Sequence, residues 1–348
     1  MQPQNGRVPG RKQLTSHPQA AIAAHQPSRW TASAASLQRV ERILFALTVM
    51  AAAGMMWLAP HLPMSDLAQH AGQVALWRDL LTGQSPWTEF VRINLMTPYL
   101  IGYGLMLPLS FVFSMETTTR IAVTLGFLGF VAVARGLRRE FGSDKRLDWL
   151  FLLSFFGHAW KWGFLTYLVA SPVGLIFLLL AHRNSSQPSP WRAVLLAATG
   201  SLLLFCHGLV FLVMVSLGGL LALAMTWENW PKSLALRLLP FVWLVALALG
   251  FRLATADIQG AFQMEGFAFG LPLPQRPGAL LVWLTDMDTF ALYLPLASIA
   301  VLMYPKFLRL QANSRPVLVL VGGFVVLLAI VPTDGFSTGL LLDRKSVV

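Results

Sequence analysis

The chain has 348 residues, of which 56% are hydrophobic and only 12% charged, with a mean hydropathy of +0.62. Ordinary soluble domains carry about 25% charged residues, and several apolar runs here reach bilayer-spanning length, so a soluble core is excluded. The net charge of +11 reads as a topology signal at helix ends rather than a nucleic-acid footprint, and the single cysteine, Cys206, excludes both an internal disulfide framework and a cysteine-built zinc site.

Within lipid the backbone must satisfy its own hydrogen bonds, which leaves a helix bundle or a closed barrel. Long runs of Leu, Val, Phe and Ala without strict alternation select helices. The expected class is all-α: a polytopic transmembrane helix bundle of about 8–9 spanning or re-entrant helices.

Residues 1–38 are rich in Gln, Ser, Ala and Pro and lack an apolar period, so they read as a disordered cytoplasmic tail, with residues 39–348 forming the transmembrane helical domain. The first apolar run starts near Ile43 behind six basic residues, Arg7, Arg11, Lys12, Arg29, Arg39 and Arg42. A cleavable signal has a shorter leader, so an uncleaved anchor crossing outward from a cytoplasmic N-terminus is expected. The segment PMSDLAQHAGQVALWRDLL (63–81) follows, read as an outer amphipathic helix over 64–82. Asp66 and His70 lie four residues apart, about one helical turn, on a polar stripe; Leu67, Ala71, Val74 and Leu81 form the apolar one.

Residues 95–115 are interrupted by Pro98, Gly102, Gly104 and Pro108, and Thr118 to Arg135 leads into a basic loop, 135–146. If that loop is cytoplasmic, two full spans cannot separate it from the outer helix. The interrupted segment is therefore taken as re-entrant. Residues 149–182 lie between two basic loops, and parity requires a two-armed hairpin with His158-Ala-Trp-Lys-Trp-Gly163 at its outer tip. Residues 193–227 repeat the pattern with Cys206-His207-Gly208 at the tip. Residues 238–251 cross outward, 252–288 form an outer loop, Phe290 to Tyr304 returns, and Pro316 to Val331 crosses again. The final LLLDRKSVV reads as the onset of another helix, which would make the C-terminus a truncation.

This topology collects Asp66, His70, His158, Lys161 and His207 at one membrane face, and ionisable groups there are functional candidates by default. Each has a plainer reading. Asp66 or Ser65 suits a helix N-cap. His70 suits an interface histidine, His207 a packed core position, and Lys161 between Trp160 and Trp162 a snorkelling cation in an aromatic belt. Asp286-Met-Asp288 resembles the Asp-x-Asp pair that holds a metal–diphosphate in soluble sugar transferases, but a solvated helix start is the favoured reading. There is no Walker loop, His-Glu-x-x-His or Gly-x-Ser-x-Gly.

An outward first crossing, an outer helix opening with Asp, the loop ARGLRREFG (134–142) and short hairpins together resemble the GT-C superfamily of multi-spanning glycosyltransferases. PMSDLAQHAGQVALW, TPYLIGYGL (97–105), WGFLTYLVASP (162–172) and FCHGLVFL (205–212) look like a family of bacterial polytopic membrane proteins, over roughly residues 43–345. The resemblance implies transfer of a sugar from a polyprenyl-phosphate donor at the outer face of the bacterial inner membrane. Asp66 would be the catalytic carboxylate with His70 beside it, and His158, Lys161 and His207 would contact substrate. The best-known members carry a paired Asp-Asp or Asp-Glu, whereas residue 67 here is leucine, so a divalent metal is left open and no metal ligand is assigned. Expected partners are the lipid bilayer and a polyprenyl-linked sugar, with no nucleic acid. The alternative class is a non-catalytic lipid-linked glycan transporter or polysaccharide-assembly protein.

Overall fold

The computed structural model describes residues 29–226, 234–256, 315–330 and 342–344. The chain divides after Leu47 into two units, residues 1–47 and 48–348. The helices are α1 (Arg29–Leu58), α2 (Leu67–Leu81), α3 (Leu100–Ser110), α4 (Met115–Glu140), α5 (Leu147–Ser154), α6 (His158–Trp162), α7 (Leu165–Ser186), α8 (Pro190–Cys206), α9 (Gly208–Thr226), α10 (Leu234–Ala254) and α11 (Arg315–Ile330). A two-stranded antiparallel pair, β1 (Val91–Ile93) and β2 (Leu342–Arg344), completes the described elements. The expected all-α integral membrane bundle is observed. Among the described residues five helices are long and apolar enough to cross a bilayer: the Ser36–Leu58 part of α1, α4, α7, α9 through Met225, and α10.

Several expectations need correction. α1 begins at Arg29, so residues 29–38 are helical rather than tail; residues 1–28 lie outside the described residues. Arg135, Arg138 and Arg139 stand on α4, not in a loop. The LLLDRKSVV segment supplies β2, pairing Leu342 with Ile93, instead of starting a helix. The outer loop 252–288 beyond residue 256, its Asp286 and Asp288, and the 290–304 crossing fall outside the described residues.

Close packing fixes the direction of the spans. A Cβ on Gly126 of α4 would lie 3.1 Å from the carbonyl oxygen of Leu168 on α7, a tight approach that glycine allows without displacing its neighbour. About four turns further along each helix, Arg183 on α7 clamps Glu140 on α4 with bonds of 3.1 and 2.8 Å. Contacts in the same order along both helices make α4 and α7 parallel. The chain must therefore return between them, as parity demands. It does so through α5, a break at 155–157 and α6 rather than through one continuous arm. α5 is 8 residues, about 12 Å.

α8 and α9 form the second hairpin, broken only at His207. α9 runs parallel to α7, since Gly174 meets Val210 and Met214 while Gly218 meets Phe177 and Ala181. The centre of the bundle is Ala170, Phe177 and Ala181 of α7 with Leu196, Leu203, Ala222, Phe241 and Leu244.

α3 does not cross. It starts where Pro98 packs on Gly208 and Gly102 on Thr166, and it ends by feeding α4 at Ser114, whose side chain caps that helix. Eleven residues give only about 16 Å of helix. Arg120, near the start of α4, grips the end of α1, donating to the carbonyls of Ala59 (2.7 Å) and Pro60 (2.6 Å). The α1 exit, α3 entry, α6–α7 turn and α8–α9 break therefore share one end of the bundle. Glu140, Arg183 and the α8 entry share the other.

Candidate functional site

α6 is a five-residue turn that stops at Gly163, whose φ of +79° is a left-handed conformation favouring glycine. The amide of Gly163 donates to Trp160 and that of Phe164 to Ala159, the paired bonds that close a helix C-terminus. The remaining carbonyls of Lys161 and Trp162 accept the amides of Ser65 (3.2 Å) and Asp66 (2.8 Å). The free N–H groups entering α2 thus satisfy the free C=O groups leaving α6. This reciprocal bonding seats Asp66 against the Lys161–Trp162 turn.

Asp66 occupies the N-cap position of α2, yet its carboxylate makes no capping hydrogen bond and the residue is half-buried. The plain capping reading therefore does not describe it. Lys161 is exposed beside exposed Trp162. His158 opens α6, which places its backbone at this same end.

His70 departs from the expected stripe. The buried side of α2 is set by Val74 and Trp77, so Leu67 and Ala71 are only half-buried and Leu81 is exposed. His70 precedes Val74 by one turn and joins that packed side. Its Nδ1 lies 2.7 Å from the Tyr103 hydroxyl of α3. Burial lowers the His70 pKa, opposed in part by the Asp66 carboxylate one turn earlier. A lowered value favours the neutral ring, an acceptor toward Tyr103 if Nδ1 is unprotonated.

His207 sits in the break between α8 and α9 with extended backbone geometry. Its Nδ1 faces the amide of Val210 at 3.5 Å, at the long edge of a capping bond. Tyr99 and Tyr167 stand edge-on to its ring, centroids 5.2 and 5.6 Å away. Burial, with His70 adding to it, pushes its pKa down to about 4. As a neutral ring it offers hydrogen bonding rather than charge.

Tyr99 and Tyr103, themselves edge-on at 6.1 Å, complete an aromatic path from His70 to His207 that the candidate set lacked. Their i, i+4 spacing in TPYLIGYGL was the available signal, since it places both on one face of a short helix. Among the described residues no three His, Cys, Asp or Glu converge as a metal cage.

Fold and site together define an integral membrane helix bundle with a carboxylate, a lysine and a histidine–tyrosine path gathered at one end. No family model matches the chain, and comparison with curated proteins and with solved structures finds no significant match.

Proposed function

We propose that this protein is a GT-C-like membrane glycosyltransferase that takes a sugar from a polyprenyl-phosphate donor at the Asp66 end of the bundle. In this reading that end faces outward in a bacterial inner membrane and the N-terminus is cytoplasmic. The observation that carries it is the uncapped Asp66 carboxylate held by backbone bonds against the Lys161 turn. A carboxylate free of its capping duty suits a general base, and the lysine of the turn it is bonded to suits a departing phosphate.

The reaction is direct displacement. Asp66 takes the proton of an acceptor hydroxyl as its oxygen bonds to the anomeric carbon. The bond from that carbon to the phosphate oxygen breaks, and the electron pair leaves with the lipid phosphate beside Lys161. Neutral His70 and Tyr103 support the α2 wall, and in this reading His158, the first residue of α6, orients substrate.

The test uses the full chain in liposomes containing a polyprenyl-phosphate hexose labelled in the sugar, with membrane glycolipid acceptors. Asp66→Asn should lower transfer by roughly 10²–10⁴-fold, the range for a lost general base. Full transfer by that variant removes Asp66 as the base. Movement of intact labelled donor across the bilayer without transfer selects a transporter instead.

A further inference from the structure

About 30 Å from Asp66 along α7, the opposite end of the bundle holds a polar seam that the proposed transfer does not use. Arg237, in the first turn of α10, is only 5% exposed. Among the described residues its one hydrogen bond runs from Nη1 to the Met225 carbonyl at 3.5 Å, the limit of such a bond. Its Nε has no partner, and no carboxylate among the described residues forms an ion pair with it. Charges inside membrane bundles are normally paired, because an unpaired one forfeits hydration without return.

Two further groups lie on the same seam. Asn184 and Ser185, at the end of α7, are 0% and 1% exposed. The Asn184 amide nitrogen donates to the carbonyl of Leu236, the residue before Arg237, at 2.9 Å. That bond fixes the orientation of the amide and leaves Oδ1 without a donor, while the Ser185 hydroxyl also lacks a partner. Three of the eight buried side-chain atoms without a hydrogen bond among the described residues thus fall at this junction. It is also where α10 begins, with its leading N–H groups and the positive end of its dipole.

We propose that Arg237, Asn184 and Ser185 form a binding site for a phosphate group that carries a neighbouring hydroxyl, supplied by an anionic phospholipid headgroup or by free hydrogen phosphate. The guanidinium fork matches phosphate oxygens, and the Ser185 hydroxyl donates a further bond. The orphaned Asn184 oxygen requires a donor, which a hydroxyl provides and a bare carboxylate does not. A bound phosphate at this seam ties the end of α7 to the start of α10. The site is independent of sugar transfer at Asp66.

The test is thermal unfolding of the full chain in non-ionic detergent after lipid removal, with the Asp66→Asn variant in parallel to keep the two sites separate. Phosphatidylglycerol, which offers both phosphate and hydroxyls, is compared with phosphatidylcholine, and sodium phosphate with sodium chloride at equal ionic strength. Wild type and Asp66→Asn should gain several degrees with phosphatidylglycerol or with phosphate; the responding probe identifies the source. Ser185→Ala should weaken the response roughly 10-fold in concentration, one lost hydrogen bond to a charged group, and Arg237→Gln should abolish it. No gain from either probe overturns the site, as does a gain unchanged in Ser185→Ala. Glu228 belongs to the sequence between α9 and α10, outside the described residues. A loss of stability on Glu228→Gln equal to that of Arg237→Gln, without response to either probe, assigns the counter-charge to the chain itself and overturns the site too.

Discussion

Gly163 and Asp66 meet backbone to backbone: a Cβ built on Gly163 would stand 3.0 Å from the amide nitrogens of both Asp66 and Leu67. The same glycine holds φ at +79°. Two separate constraints therefore oppose a side chain at the point where α6 hands its carbonyls to α2.

Gly163→Ala should consequently destabilise the protein by about 2 kcal/mol, the left-handed penalty alone being about 1–2 kcal/mol. The displaced atoms would be the Asp66 and Leu67 amides, so transfer activity should fall more than stability explains. Gly72→Ala is the control, because nothing lies within 4 Å of its built Cβ and the position is helical. That variant should be neutral or slightly stabilising. Unfolding temperature and initial transfer rate, measured on both variants, check the contrast; equal effects would show that the approach at Gly163 is not what seats Asp66.

Arg120 sets the turn that precedes Asp66. Its Nη2 reaches the Ala59 and Pro60 carbonyls and Glu116, while Nη1 stands 3.4 Å from the Trp57 carbonyl. Arg120→Met keeps much of the stem but strands those carbonyls, at a cost of about 2–3 kcal/mol from lost charged hydrogen bonds. Arg120→Lys should recover only part, because an ammonium lacks the guanidinium fork. Chemical denaturation of the three forms should rank them wild type, Lys, Met. A lysine variant as stable as wild type would reduce the contact to simple charge.

The sequence made the bundle legible because lipid leaves few choices: spans show as apolar runs, and basic clusters mark their ends. Parity reasoning correctly denied the 95–115 segment a full crossing, since α3 is too short and both its ends lie at the Asp66 end. The face of α2 was misjudged for a different reason. Counting apolar residues on a helix wheel assigns His70 to the polar stripe, but Tyr103 from a segment 33 residues away gives it a hydrogen-bond partner on the packed side. Tertiary partners are invisible to a local period. The break after α5 was equally hidden, because Phe155 and Phe156 continue the apolar run and only Gly157 interrupts it.

At the opposite end, Asp148 is buried between Arg135 (3.1 Å) and Arg138 (2.6 Å), joining α5 to α4. Removing the carboxylate leaves two guanidiniums facing each other. Asp148→Asn should cost about 3 kcal/mol, the lower end for breaking a buried pair because Arg135 keeps contact with water. Adding Arg138→Gln to that variant should restore part of the loss by removing the repulsion. A double-mutant cycle on unfolding free energy measures it, and strictly additive losses would deny the pair its coupling.

The two histidines of the site give the protein a stability that depends on pH, with a definite sign. Folding lowers the pKa of His70, through burial, and pushes that of His207 down to about 4, through burial and then the proximity of His70. The unfolded chain therefore binds more protons than the folded one between an ordinary histidine value near 6.5 and about 4. Stability is fully present above about 6.5 and declines as the pH falls through that window. For His207 the total is on the order of 3 kcal/mol, at about 1.4 kcal/mol per unit. His207→Gln keeps a polar side chain in the α8–α9 break but cannot take up a proton, so it should lose some stability at pH 7.5 and show a flatter decline toward pH 4.5. Unfolding temperature across that range, in wild type and variant, reads the difference directly. If both decline in parallel, protonation of His207 is not the source, and the buried ring between Tyr99 and Tyr167 is acting through packing alone.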